Sequence, residues 1–262
     1  MAADTSRKKT YTAPALEKGL DILELLSHEI NGLKVSDIVE RLDKSYGELF
    51  RMLVVLEQRG YVELPEGSDR YCLTMKMFGL ANRFPPVKRL TSIAGPILKQ
   101  LSYNIEQSCH LVTFYEGKGH VIAQQDSPSS RNFSVQLGTE MPLVNTCSGH
   151  ILLSFASKER FNMMWDKIPE HHPKPDTKLF RNVSQTILDN GYETMKSKQV
   201  HGVQDIGFPV FDHTGDVLAA LGVPFMEFID GSHAVTFEAS MQFVKQAAEE
   251  LSKKLGYVID EA

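Results

Sequence analysis

The chain has 262 residues, 42% hydrophobic and 23% charged, with a formal net charge of −5. These values belong to a soluble globular chain with room for two domains, each able to bury a core. They argue against a polycation that coats nucleic acid with its whole surface, and no apolar run approaches the roughly 18–20 residues needed to cross a bilayer.

The opening MAADTSRKKTYTAP has no apolar stretch of the kind a secretion signal carries. Cys72, Cys109 and Cys147 are odd in number and far apart, which points to reduced thiols in a cytoplasmic protein. Charge is not concentrated in either half. Residues 1–84 hold 12 Lys+Arg and 13 Asp+Glu, net −1; the remainder holds 16 and 20, net −4. Any contact with DNA must therefore rest on local placement of charge.

Residues 1–14 read as a flexible arm made basic by Arg7, Lys8 and Lys9. A first helix is predicted over 15–28, burying Leu16, Leu20, Leu23 and Leu26 with Ile22 and Leu25 beside them. Asn31-Gly32 ends it. Ser36 is the expected cap of a second helix over 36–42, with Ile38, Val39 and Leu42 inward. Asp43-Lys44-Ser45 makes a turn. The third helix follows, with Leu49, Met52, Leu53 and Leu56 as its apolar stripe and Gly60 as its stop. Strands at 61–64 and 70–74 flank Pro65-Glu66-Gly67-Ser68-Asp69, a strong turn composition. Helix, helix, turn, helix and hairpin within about 60 residues is the order of a winged helix-turn-helix, with the third helix reading a major groove and the hairpin as wing. This domain is assigned to 15–84.

A short helix is expected at 75–83. Phe84-Pro85-Pro86 then breaks the chain, and a long helix at about 89–106 makes 85–107 a linker. The texture changes after it. CHLVTFYEGKGHVIAQQ reads as a hairpin, and NFSVQLG as another strand. Helices are predicted at 147–156, 158–166 and 182–190. DIGFPVFDHTGDVLAALGVPF gives two more strands, and a helix over 233–254 closes the chain. Strands joined by tight turns and interleaved with helices make 108–262 an antiparallel sheet with helices on its faces, so the fold class is α+β.

Several motifs agree in order and spacing with one family. LEKGLDILELL, SDIVERL, FRMLVVLEQRGYVE and DRYCLT, then LVNTCSGHILLSF and GVQDIGFPVFDHTGDVLAALGV, resemble the IclR family of bacterial transcription regulators from Leu16 to Gly256. The resemblance implies a winged-helix DNA-binding domain and a GAF-like effector domain. It also implies dimers or tetramers on DNA and control by a small organic acid, sugar acid or aromatic compound. Two departures stand out. The entry to the third helix is Lys44-Ser45-Tyr46-Gly47-Glu48 where the family is usually Ser/Thr-rich, and Asp205 stands where many relatives carry Cys.

Candidate DNA contacts are Lys44, Ser45, Tyr46, Glu48, Arg51 and Arg70. Arg51 faces away from the apolar stripe and suits guanine or phosphate; its alternative is pairing with Glu48 or Glu57. Glu48 either accepts from cytosine N4 or, as the plainer reading, caps the helix through the dipole. Arg70 either meets the sugar-phosphate backbone or guards a strand edge. Candidate effector contacts are His110, Thr146, Cys147, Ser148, Gly149, His201 and Asp205. Thr146 to Gly149 open a helix, whose free amides and dipole suit a carboxylate; a plain cap is the alternative. Cys109 and His110 are neighbours on a strand and point to opposite faces. His110, His201 and Asp205 are the set that would hold a metal or orient a polar ligand, but no CxxC or HExxH signature accompanies them. No cofactor or metal is assigned.

The leading expectation is a ligand-responsive repressor of a catabolic operon. Its partners would be double-stranded operator DNA, an acidic small molecule and further copies of itself, with no membrane. Two rivals remain. One is a metal- or cysteine-dependent enzyme using His110, Cys147, His201 and Asp205, with the winged helix serving dimerisation. The other is a winged helix that binds protein.

Overall fold

The structure is a computed structural model that describes residues 12–258 apart from 82–84, 171, 173, 199, 229 and 232–234. The basic residues Arg7, Lys8 and Lys9 lie outside the described residues, as does Phe84. The chain divides into two compact units between Pro85 and Pro86.

The first unit contains α1 (Pro14–Ser27), β1 (Leu33–Lys34), α2 (Val35–Leu42), α3 (Tyr46–Gln58), β2 (Val62–Glu63), β3 (Arg70–Leu73) and α4 (Lys76–Ala81). Its core is Ile22, Leu26, Leu33, Ile38, Leu49, Leu53, Val62 and Tyr71, each larger apolar side chain contributing about 1.5–3 kcal/mol on burial. Leu49 and Leu53, one turn apart, fix which side of α3 faces inward. The predicted face of the first helix is buried only over its second half: Ile22 and Leu26 are in the core with Leu23 and Leu25 packed beside them, while Leu16 and Leu20, nearer the N-terminus, are exposed. The second helix begins one residue before Ser36, and Asp37 Oδ2 accepts from the Lys34 amide. A carboxylate at the third helical position thus replaces the expected serine cap. The small sheet also has a third strand that the sequence pattern does not announce. Leu33 and Lys34 pair with Tyr71 and Arg70, so its order is β1-β3-β2.

The second unit opens with α5 (Pro85–Ile105). The two prolines start this helix, and the division between the units falls between them. Proline is favoured in a first turn because the amide there has no intrahelical acceptor. Nor is the helix a free linker: Leu90, Ala94, Ile97, Leu98, Leu101 and Ile105 lie in the core of this unit. Then come β4 (Cys109–Tyr115), β5 (Lys118–Gln125), β6 (Glu140–Pro142), α6 (Cys147–Ser154), α7 (Lys158–Asp166) and α8 (Thr177–Asn190). They are followed by β7 (Glu193–Lys196), β8 (Val203–Phe211), β9 (Val217–Met226) and α9 (Phe237–Lys254). The sheet order is β6-β5-β4-β9-β8-β7, antiparallel throughout. NFSVQLG forms no strand; the edge falls to Glu140–Pro142, and Gly138 alone of that run donates to Val121 O.

Alternation along β8 and β9 assigns the two faces. Ile206, Phe208, Val210, Leu221 and Val223 meet α5 and α9 in one core. The intervening residues, Asp205, Gly207 and Gly222 among them, face α6 on the other side. Cys109 joins the first core and His110 turns to the second face, as the strand period requires.

Candidate functional site

The helical side of the first unit presents α3 with its N-terminal end outward. Lys44, Ser45, Tyr46 and Arg51 are all exposed. Arg51 Nε donates to Gly47 O at 3.0 Å, which folds the side chain back along the helix. Glu48 is already engaged. Its Oε1 pairs with Lys18 of α1 at 2.7 Å and its Oε2 accepts from Ser45 Oγ at 2.8 Å. These contacts, the Lys18 hydrogen bond first, hold its carboxyl down at about 2. Arg70 is turned inward as well: Nη1 donates to Gly32 O at 3.1 Å and ties the turn before β1 to β3. The wing turn itself carries Glu66 and Asp69, and Asp69 pairs with Lys34 at 2.7 Å.

In the second unit, Thr146 caps α6. Its Oγ1 accepts from the Gly149 amide at 3.2 Å and donates to Pro142 O at 2.7 Å. The amides of Cys147 and Ser148, in the first turn, have no acceptor within the helix. This helix lies against the sheet at Gly207 and Gly222, which pair with each other. A Cβ on Gly222 would stand 2.7 Å from His110 Nε2 and 2.9 Å from Ser148 Oγ; one on Gly207 would stand 2.6 Å from Cys147 Sγ. The two glycines are what let a helix N-terminus come down onto β8 and β9.

Between them is a cavity of about 40 Å³. His110, Thr146, Cys147, Ser148 and Asp205 line it, with Phe133, Val135 and Met141 as an apolar wall. His110 is 4% exposed, and neither ring nitrogen has a hydrogen-bond partner. Burial brings its pKa down to about 4, so the ring is neutral near pH 7. Asp205 is pushed up to about 6, by burial first and by the neighbouring Glu193 charge second. Burial also drives the Cys147 thiol well above its usual value, helped by Glu193 and Asp205, and Sγ donates to Glu193 O at 3.4 Å. Cys109, on the other face, donates to Leu98 O and is pushed up to about 12 by burial. Neither cysteine is a thiolate.

Two of the sequence-predicted effector contacts do not reach this cavity. Gly149 is buried against Leu143, where a Cβ would meet the carbonyl oxygen at 2.2 Å, so its role is packing. His201 is exposed in the turn before β8 and lines a different cavity with Lys196 and Glu238. The set of His110, His201 and Asp205 is therefore not assembled, and among the described residues no three His, Cys, Asp or Glu side chains are grouped to hold a metal.

Sequence reasoning missed Glu193, which sits beneath α6. His150 Nδ1 lies 2.9 Å from Glu193 Oε1, and its Nε2 lies 3.0 Å from Val144 O. A carbonyl only accepts, so Nε2 is the donor to Val144 O. No spacing signal marks Glu193. Gly207 and Gly222 did carry one, since an isolated glycine inside a strand signals close backbone approach.

The comparisons agree along the chain. The model described as "Bacterial transcriptional regulator IclR C-terminal" matches residues 87–253, and that of the IclR helix-turn-helix domain matches 15–65. The HTH-type transcriptional regulator KdgR of Escherichia coli is 24% identical over 254 residues, covering 95% of each chain. The HTH-type transcriptional repressor AllR of Klebsiella pneumoniae is 25% identical over 250 residues, covering 93% of this chain and 90% of its own. Among solved structures, the Thermotoga maritima IclR superposes with a TM-score of 0.72 at 24% identity, covering 92% of this chain and 98% of its own. An IclR homologue from Microbacterium hydrocarbonoxydans, in complex with 4-hydroxybenzoate, does so with a TM-score of 0.76 at 18% identity and the same coverage.

Proposed function

The chain belongs to the IclR family of bacterial transcription regulators, and from that premise we propose which of its surfaces meet the operator and which cavity takes the signal. It is a DNA-binding regulator, the class to which both family models and the named relatives belong.

Operator DNA meets the N-terminal end and outer face of α3, through Lys44, Ser45, Tyr46 and Arg51. The observation that carries this is the burial of Leu49 and Leu53, which turns those four residues outward. Glu48 and Arg70 act as braces, one holding α3 to α1 and the other holding β3 to the turn before β1. Two copies bind as a dimer, with assembly to a tetramer open to them, and the regulator represses, as the named relative AllR does.

The signal is a small organic, sugar or aromatic acid held in the cavity over α6. Its carboxylate sits on the free amides of Cys147 and Ser148, where the helix dipole favours an anion. His110 supplies the hydrogen bond its ring otherwise lacks, and Asp205 takes a hydroxyl from the ligand. Phe133, Val135 and Met141 cover the carbon skeleton. The homologue bound to 4-hydroxybenzoate supports an aromatic acid among the candidates. The acid shifts DNA affinity only by its differential affinity for the two states of the regulator.

The test is binding to the DNA upstream of its own gene at two salt concentrations, with a panel of small acids added. Specific binding that weakens steeply with salt, and that one acid relieves or strengthens, is the expected result. No DNA held at low salt, with or without acid, overturns it.

A further inference from the structure

The outer face of α3 is not uniformly polar. Tyr46 and Phe50, one turn apart, stack with ring centroids 5.7 Å apart and planes 10° from parallel. They are 57% and 40% exposed. An aromatic pair of this size gains by leaving water, and both rings keep a large part of their surface exposed. Gly47, between them in sequence, faces open space, with no atom of another element within 4 Å of where a Cβ would be. Lys44 precedes the pair and Arg51 follows it, both exposed. Of the acids beside it, Glu48 is paired with Lys18, while Asp43 ends α2 next to Lys44.

A cationic rim around an apolar ridge at a helix N-terminus suits a polyanion that presents methyl groups. The major groove offers them: phosphates on both walls and the C5-methyl of thymine on its floor, the one apolar group among the base edges there. We propose that the stacked Tyr46–Phe50 pair is a sequence-reading element that packs on thymine methyl groups, so that each operator half-site needs a thymine at a fixed position. This rests on α3 being the DNA-reading helix. It adds a specificity that none of the charged residues supplies, because Lys44 and Arg51 recognise phosphate or guanine and are blind to a methyl.

The experiment uses the full chain and the operator fragment it protects. Each thymine is replaced singly by deoxyuridine, which removes the methyl and leaves pairing intact. The expected result is a loss of about fourfold in affinity, the worth of one buried methyl, at one or two positions per half-site and nowhere else. Phe50→Ala binds more weakly and becomes indifferent to uracil at those positions; Tyr46→Ala, changed at the other ring, does the same at a neighbouring position. Uniform tolerance of uracil by the unaltered protein, with the natural operator still bound, overturns the methyl contact alone. The same holds if both alanine variants keep the full uracil penalty, because another group of the protein then reads the methyl. Failure to bind the unmodified operator overturns both this proposal and the DNA reading it rests on.

Discussion

Replacing Asp205 with an asparagine isolates a charge that the fold opposes. The Asp205 carboxyl is raised from 3.8 to about 6, burial being the larger cause and Glu193 the smaller. At 1.36 kcal/mol for each pH unit, the ionised form costs the folded state roughly 3 kcal/mol. The side chain is only half-buried, so solvent screening reduces this to about 1–2 kcal/mol. The folded protein holds the proton more tightly than the unfolded chain, so this contribution to stability falls as pH rises from about 4 to about 6 and is level above. The amide that stands there in D205N does not titrate. The expected outcome is that D205N and the unaltered protein are matched near pH 4 and that the variant is more stable by about 1–2 kcal/mol at pH 8. Urea unfolding followed by the fluorescence of Trp165 measures it, because this single tryptophan lies in the core of the second unit. A difference that is the same at both pH values, or a variant less stable at pH 8, refutes the burial account.

His110 titrates with the opposite sign. Its pKa is lowered from 6.5 to about 4, so the unfolded chain takes the proton first and stability is lost as pH falls through that window, by up to roughly 3 kcal/mol. His110→Gln should flatten this acid limb in the same urea titrations; an unchanged limb assigns it to another group. Gly222→Ala drives a methyl into His110 and Ser148 and should cost about 1–3 kcal/mol in a thermal melt; a change within about 0.5 kcal/mol, the ordinary surface range, means the helix yields there. Arg51→Ala should weaken operator binding and leave acid binding intact in a calorimetric titration, whereas equal loss of both removes its separate DNA role. Arg70→Ala should lower the stability of the first unit by about 1 kcal/mol with the salt slope of DNA binding unchanged. A slope smaller by about 1 would place Arg70 on a phosphate after all.

Periodicity locates the helices of the first unit well but carries the buried face of α1 too far toward its N-terminus. Leu16 and Leu20 obey the same spacing as Leu23 and Leu26, and spacing does not say where a helix outruns the core beneath it. Prolines carry two meanings at once. Pro85-Pro86 coincides with the division between the units and also starts α5, since a first helical turn and a helix terminator use the same residue. The strand at Glu193–Lys196 is invisible because a four-residue edge strand has too few alternations to count. The cavity is half legible. Thr146-Cys147-Ser148 announces itself as a helix start, and the alternation of β4 puts His110 on the right face. His201 groups with Asp205 by nearness in sequence, yet a turn before a strand and a residue inside it open onto different spaces. Glu193 comes from a strand that sequence does not reveal. Glu48 and Arg70 show a further limit: charge identifies a candidate for phosphate or base, but only coordinates show whether the protein has already used it.

The cavity over α6 holds about 40 Å³, room for a few water molecules at about 10–15 Å³ each. The acid placed there is several times larger, so this conformation excludes its own ligand. Binding then draws on a rarer, wider state, and the measured affinity is the intrinsic one multiplied by the fraction of time that state exists. If the open form is populated at about 1%, the dissociation constant rises about a hundredfold. Sensitivity to the signal is thereby set by how tightly the cavity is closed as well as by what its walls offer the acid. Trimming Phe133 or Val135 would favour the wider state and at the same time remove part of the acid's apolar cover, so the threshold at which the regulator responds moves by the difference between the two effects.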